Sequence, residues 1–140
     1  MRKRLALVWT FAVIGAALSL PAATMAGGGT GYSYKKIYSY CEGATVHVKV
    51  KNIAEGSTDA NRLTIDSWAQ KAPTKNGPWT KIYTWSRAKY TFEIDGQKHW
   101  LTSWRSYNGN NTAWFQIVFR LRAWHNKTML ASVDVGSAKC

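Results

Sequence analysis

Chemistry near neutral pH needs particular side chains at particular spacings, and this chain offers few candidates. Its carboxylates are Glu42, Glu55, Asp59, Asp66, Glu93, Asp95 and Asp134. Paired acid–base catalysis needs two of them facing one cleft. Glu93 and Asp95 share one face of a predicted strand, where a solvated role balancing nearby lysines is the ordinary expectation. The histidines, His47, His99 and His125, are far apart and show no ligand spacing, so no zinc or other metal site is expected. No serine sits in a nucleophile-elbow pattern. Cys41 and Cys140 are excluded as nucleophiles if they are bridged. The reading is therefore a non-enzyme, with no catalytic residue and no cofactor.

Aromatic residues are the unusual feature. All seven tyrosines and seven of the eight tryptophans lie after residue 26, more than so small a core can hold. Trp114 and Trp124, on the same strand face as Arg120 and Arg122, make a candidate surface platform. There Trp would stack on sugar rings or partner side chains while Arg pairs with anions. Exposed aromatics with Arg are enriched at interfaces. The alternative is that a second sheet or the N-terminal segment covers this face and makes these tryptophans core.

The elements that must position these residues begin with an export signal. Residues 1–4, MRKR, are followed by an apolar run broken only by Thr10 and Ser19, then by Pro21 and small residues ending in Thr24-Met25-Ala26. That order is a secretory signal peptide over residues 1–26, with cleavage after Ala26. Nothing downstream is long and apolar enough to span a membrane as a helix. Removing 26 of 140 residues leaves 114, the size of one domain. Removing Arg2, Lys3 and Arg4 from 19 basic residues leaves 16 against 7 acidic ones, a formal charge of +9. Outside the cell a positive field favours anionic polysaccharide, teichoic acid, lipid head groups, extracellular nucleic acid or an acidic protein. Solubility alone is the plainer explanation, and nucleic acid is not the partner expected here. Export also makes a Cys41–Cys140 disulfide the simple expectation.

Residues 27–40, GGGTGYSYKKIYSY, read as a Gly/Tyr-rich flexible leader whose aromatic end adds to a sheet edge, either this domain's own or a partner's. Tyr32, Tyr34, Lys35, Lys36, Tyr38 and Tyr40 are its candidate partner-binding residues. Residues 41–140 form the domain proper. Val46, Val48 and Val50 alternate with His47, Lys49 and Lys51 in a half-buried strand. Further strands are predicted over 62–68, where Leu63 and Ile65 share a face, over 79–85 and over 89–95. Asp95-Gly96 is predicted as a tight hairpin returning into HWLTSW at 99–104. The turn Tyr107 to Asn111 precedes the longest alternation, Thr112 to His125, with Ala113, Phe115, Ile117, Phe119, Leu121 and Ala123 inward. After a turn at 125–127, Met129, Ala131, Val133 and Val135 point inward. The fold class is all-β, an antiparallel two-sheet β-sandwich of seven to eight strands with one disulfide, or else a small closed barrel. Cys41, Trp68 and a late Cys fall in immunoglobulin order, but Cys140 is terminal and lacks the tyrosine corner, so that family is set aside.

The signal peptide, the Gly- and Tyr-rich leader and a compact β domain without an active site together resemble the small adaptor (spoke) components of bacterial umbrella toxin particles. The resemblance covers the mature chain in size and layout. It implies two partners, a lectin subunit and the stalk of a large secreted toxin, with residues Gly27 to Tyr40 docking into the stalk. The competing readings are a direct binder of carbohydrate or cell wall through exposed Trp and Arg, and a small membrane-active or inhibitory protein.

Overall fold

The computed structural model describes residues 31–140, so the expected signal peptide and residues 27–30 lie outside the described residues. Seven strands follow one another: β1 (Tyr32–Glu42), β2 (Thr45–Ala54), β3 (Arg62–Ala72), β4 (Thr80–Thr91), β5 (His99–Asn108), β6 (Trp114–His125) and β7 (Thr128–Gly136). They form two antiparallel sheets, one in the order β1-β2-β5 and the other β4-β3-β6-β7. This is the two-sheet sandwich expected from the alternation.

Alternation dictates which face is buried, because successive side chains point to opposite sides of a strand. On β2, Val46, Val48 and Val50 are fully buried, and they meet Ile65, Ile117, Phe119 and Leu121 from the other sheet. Each such side chain contributes about 1.5–3 kcal/mol by leaving water. A second cluster of Ala54, Ala60, Leu63, Ala123 and Ala131 fills the other end. Asn52 is fully buried between the clusters, and its Nδ2 donates to the Arg122 and Thr64 carbonyls at 3.1 and 3.4 Å. An amide in the core thus clips one sheet to the other. Beside it, burial raises the pKa of the Tyr32 phenol well above its ordinary value.

One flank of the sandwich is closed covalently. Cys41 of β1 bonds to Cys140 across a Cα–Cα distance of 5.6 Å, and the backbone of Cys140 exchanges two hydrogen bonds with Phe115 of β6. Lys36 donates to the Gly136 carbonyl at 3.2 Å, and Ser39 accepts from the Ala138 amide. These contacts join the β1 edge to the end of β7.

Three expectations need correction. The segments 79–85 and 89–95 are not two strands, because residues 80–91 form one continuous β4. Its pairing with β3 slips twice, between Ile65 and Ser67 and between Ala69 and Gln70, each time with an extra residue on β4. An extra residue reverses the alternation, which makes one strand read as two. Asp95-Gly96 is a turn but not a hairpin. Gly96 has φ +81° and Asp95 Oδ1 accepts the Gln97 amide at 2.9 Å, yet the turn sits in a crossover from β4 in one sheet to β5 in the other. A Cβ on Gly56 would lie 2.2 Å from the Gly96 backbone, so two crossover loops touch where only glycine fits. Finally, Met129 points outward and is half exposed, because a bulge opposite Ala123 and Trp124 inserts Leu130, which packs on the core instead.

The aromatic end of the leader is an edge strand of this domain. Residues Tyr32 to Glu42 pair with β2 along their whole length, so the sandwich begins at Tyr32 and not at Cys41.

Candidate aromatic and cationic binding face

The outer face of the three-stranded sheet is built by register. Tyr38, Lys49 and Trp104 lie side by side across β1, β2 and β5. The neighbouring rows are Tyr40, His47 and Ser106 on one side, then Lys35, Lys51 and Thr102, and then Ser33, Ile53 and Trp100 on the other. Strands lie about 4.8 Å apart and the rows run over six residue steps of β5, from Ser106 to Trp100, so they define a patch about 20 Å long and about 10 Å wide, with the two tryptophans about 13 Å apart.

This patch is open. Trp104 is 63% and Trp100 52% exposed, and Tyr38 and Tyr40 are also exposed. The Lys51 ammonium lies 4.3 Å from the Trp100 ring centroid, close enough for a cation–π attraction. Tyr40 stacks on His47 at 4.8 Å, and His47 Nδ1 lies 2.7 Å from Ser106 Oγ. At the rim His47 Nε2 is 3.2 Å from Glu42. Among the described residues no carboxylate pairs with Lys35 or Lys49. The chemistry available here is stacking on flat rings beside free positive charge.

The leader residues divide between this face and the interior. Tyr32 and Tyr34 point inward against the core clusters. Pairing then shifts between Lys36 and Tyr38, with Ile37 as the extra residue, and the phase reverses so that Tyr38 and Tyr40 point outward. Lys35 lies on the open face, whereas Lys36 is held at the β7 end.

The four residues singled out on β6 have a different fate. Trp114 and Trp124 share the outer face of the four-stranded sheet but stand at opposite ends of one strand, about 33 Å apart. Trp124 Nε1 donates to Thr64 Oγ1 at 2.8 Å, and the Arg62 guanidinium lies 4.8 Å from its ring. Arg120 makes two hydrogen bonds to Asp134, at 2.8 and 2.9 Å, and Arg122 donates to Asp66 at 3.1 Å. Arg87 also grips Asp66, at 2.6 and 2.9 Å. Hydrogen bonding from Arg87 holds the Asp66 carboxyl below its ordinary pKa, with the charges of Arg87, Arg122 and Arg120 adding to the effect. Between the ion pairs Trp68 carries Lys81 at 4.3 Å and Arg120 at 5.4 Å. The structure thus puts Arg120, Arg122 and Trp124 next to one another, with the Arg122 guanidinium 5.9 Å from the Trp124 ring, and leaves Trp114 at the far end of the strand.

Sequence reasoning missed Trp100 and Trp104, although a signal was present. In HWLTSW the two tryptophans are four residues apart, an even spacing that puts both on one face of a strand. Their surroundings needed the pairing of β5 with β2, which the hairpin expectation hid.

No protein-family model matches the chain, and no curated protein matches it. A solved structure of a glycosyl hydrolase family 2 member from Bacteroides cellulosilyticus DSM 14838 is similar over 76% of this chain, at 11% identity and a TM-score of 0.43. The matched part spans 14% of that protein's length. A likeness of that size carries no information on ligand or activity.

The remaining candidates for chemistry are scattered. Asp95 Oδ1 lies 2.9 Å from His99 Nε2, and His125 Nδ1 lies 2.7 Å from the Asp59 carbonyl. Among the described residues no group of three or more His, Cys, Asp or Glu could hold a metal ion.

Proposed function

We propose that this chain is a secreted, non-enzymatic binding module that holds an extracellular carbohydrate or cell-wall polymer on the outer face of its three-stranded sheet. The observation that carries this reading is the pair of open tryptophans, Trp100 and Trp104, beside two lysines of the neighbouring strand that no carboxylate pairs among the described residues: Lys49 is in register with Trp104, and Lys51 lies over the Trp100 ring. Indole faces stack on the apolar faces of sugar rings, and ammonium groups attract anionic substituents. The experiment is sedimentation of the purified mature protein with insoluble cell wall. Changing Trp100 and Trp104 to Ala should abolish sedimentation, while Trp114→Ala with Trp124→Ala should leave it unchanged. Full retention by the first variant would overturn the reading. Dye release from anionic vesicles by the wild type, with no cell-wall binding, would favour a membrane-active protein.

The adaptor role implied by the resemblance to toxin spoke components is a second proposal, supported by β1 standing at a sheet edge. Deleting residues 27–40 would not test it, since most of β1 would go too. Gel filtration of the native protein from culture supernatant does test it: elution within a large complex supports an adaptor, and a clean monomer overturns it.

A further inference from the structure

The flank opposite the disulfide is the open side of the sandwich. There β4, an edge of one sheet, faces β5, an edge of the other, and no described strand pairs with either on its outer side. Aromatic rings line the gap. Tyr83 meets Trp85 edge-on at 4.9 Å, Tyr107 lies 6.4 Å from Tyr83 and 6.5 Å from Trp85, and Phe115 lies 5.7 Å from Tyr107. Tyr83 at the mouth is 50% exposed.

Arg105 enters this gap from β5. Its Nε donates to the Oγ of Ser67, a fully buried residue of the opposite sheet, at 3.1 Å, and its Nη1 donates to the Trp104 carbonyl at 2.7 Å. The guanidinium lies 5.5 Å from the Trp85 ring centroid. A guanidinium has five N–H donors, and these two bonds leave three without a partner among the described residues. Arg87, Arg120 and Arg122 each hold a carboxylate, whereas among the described residues none pairs with Arg105. Burial lowers its pKa from the ordinary value, as expected of a cation that has lost water and gained no counter-charge. A partly desolvated guanidinium with free donors, backed by aromatic rings, has the chemistry of a receptor for an oxyanion.

We propose that the gap between β4 and β5 is a second binding site, in which Arg105 takes an oxyanion carried on a sugar ring and the ring packs against Tyr83. The oxyanion is a carboxylate, as in a uronic acid, or a phosphate ester. Arg105 and Trp104 are successive residues with opposite directions, so this site is separate from the open face and does not depend on it.

The test is NMR titration of the mature protein, following the Arg105 Nε–H and Trp85 indole signals. The probes are methyl glucuronide, glucose 6-phosphate and, as the neutral control, methyl glucoside. Saturable shifts at both signals with an acidic probe and none with the neutral one are expected, and the better acidic probe tells carboxylate from phosphate. Arg105→Gln should weaken that binding at least about tenfold, and Tyr83→Ala should weaken it less. The Trp100→Ala and Trp104→Ala variant should bind the probes as the wild type does, which separates this site from the open face. Equal shifts with the neutral glucoside, no saturable shift with either acidic probe, or unchanged affinity in folded Arg105→Gln would overturn the proposal. Should Arg105→Gln fail to fold, the wild-type comparison of acidic and neutral probes decides.

Discussion

The two outer faces of this sandwich carry similar side chains and use them in opposite ways. On the four-stranded sheet, Trp68 and Trp124 are each covered by two cations, and the arginines close onto Asp66 and Asp134. On the three-stranded sheet, Trp100 carries one cation, Lys51, and Trp104 carries none among the described residues; both rings stay more than half exposed, and among those residues Lys49 has no acidic partner. The difference lies in where the carboxylates fall. Asp66 and Asp134 lie in or beside the arginine rows of the larger sheet, whereas the smaller sheet has only Glu42, at its rim. Arginines that close onto carboxylates stabilise the fold, and lysines without such a partner beside open rings have capacity left for a ligand.

The largest test of this contrast is removal of the Cys41–Cys140 bond. A crosslink spanning 99 residues restricts the unfolded chain by about 4.7 kcal/mol in the chain-entropy model. Cys41→Ser with Cys140→Ser should lower unfolding free energy in urea by roughly that amount. Hydrogen exchange should rise most along β1, which belongs to the open face, and least along β3 and β6. Uniform loss of protection would mean that the two faces are not separable units.

Tryptophan truncation comes next in size. Trp68→Ala removes a ring that packs beside Val118 and under two cations, and should cost about 2 kcal/mol, less than a fully buried Trp. Trp104→Ala should change stability by no more than about 0.5 kcal/mol, as exposed substitutions do, while removing ligand binding. The reverse pattern in denaturation and binding assays would show that the faces have been assigned the wrong way round.

Acid should then separate them. The folded-state pKa of Asp66 is lowered, chiefly by its hydrogen bonds to Arg87. Its contribution is therefore present above the ordinary carboxylate pKa and lost as pH falls through the depressed folded value. Thermal melts from pH 6 down to about pH 2 should show part of the acid destabilisation missing in Asp66→Asn, by about 1 kcal/mol. An unchanged acid limb would mean that the arginine ladder contributes nothing to stability.

How much of this contrast could be read in the sequence depends on the element. The inward faces of β2 and β6 were legible because Val46 to Val50 and Phe115 to Ala123 alternate without interruption. The two-sheet class follows from them. The open face was not legible, for two reasons. Bulges reset the alternation within β1 and β4, so Tyr32 and Tyr38, both at even positions, point opposite ways. Asp95-Gly96 has the chemistry of a hairpin turn, and only contacts remote in sequence, such as Gly56 against Gly96, put it in a crossover. Which strand sits beside Trp104 is a long-range fact, and without it Lys49 has no relation to that ring.

The smallest expected effect is also the most discriminating. Lys49→Gln with Lys51→Gln leaves Trp100 and Trp104 in place and removes the free charge between them and β1. Cell-wall binding near 0.05 M salt should weaken only several-fold, because the stacking remains. The wild type should lose affinity with added salt and converge on the variant by about 1 M, where the screening length falls to about 3 Å. The variant itself should respond weakly to salt. If both proteins instead share one steep salt dependence, the attraction originates in other cations of this basic chain. The paired arginines of the larger sheet would then be as available to ligand as Lys49, and the division of labour between the faces would fail.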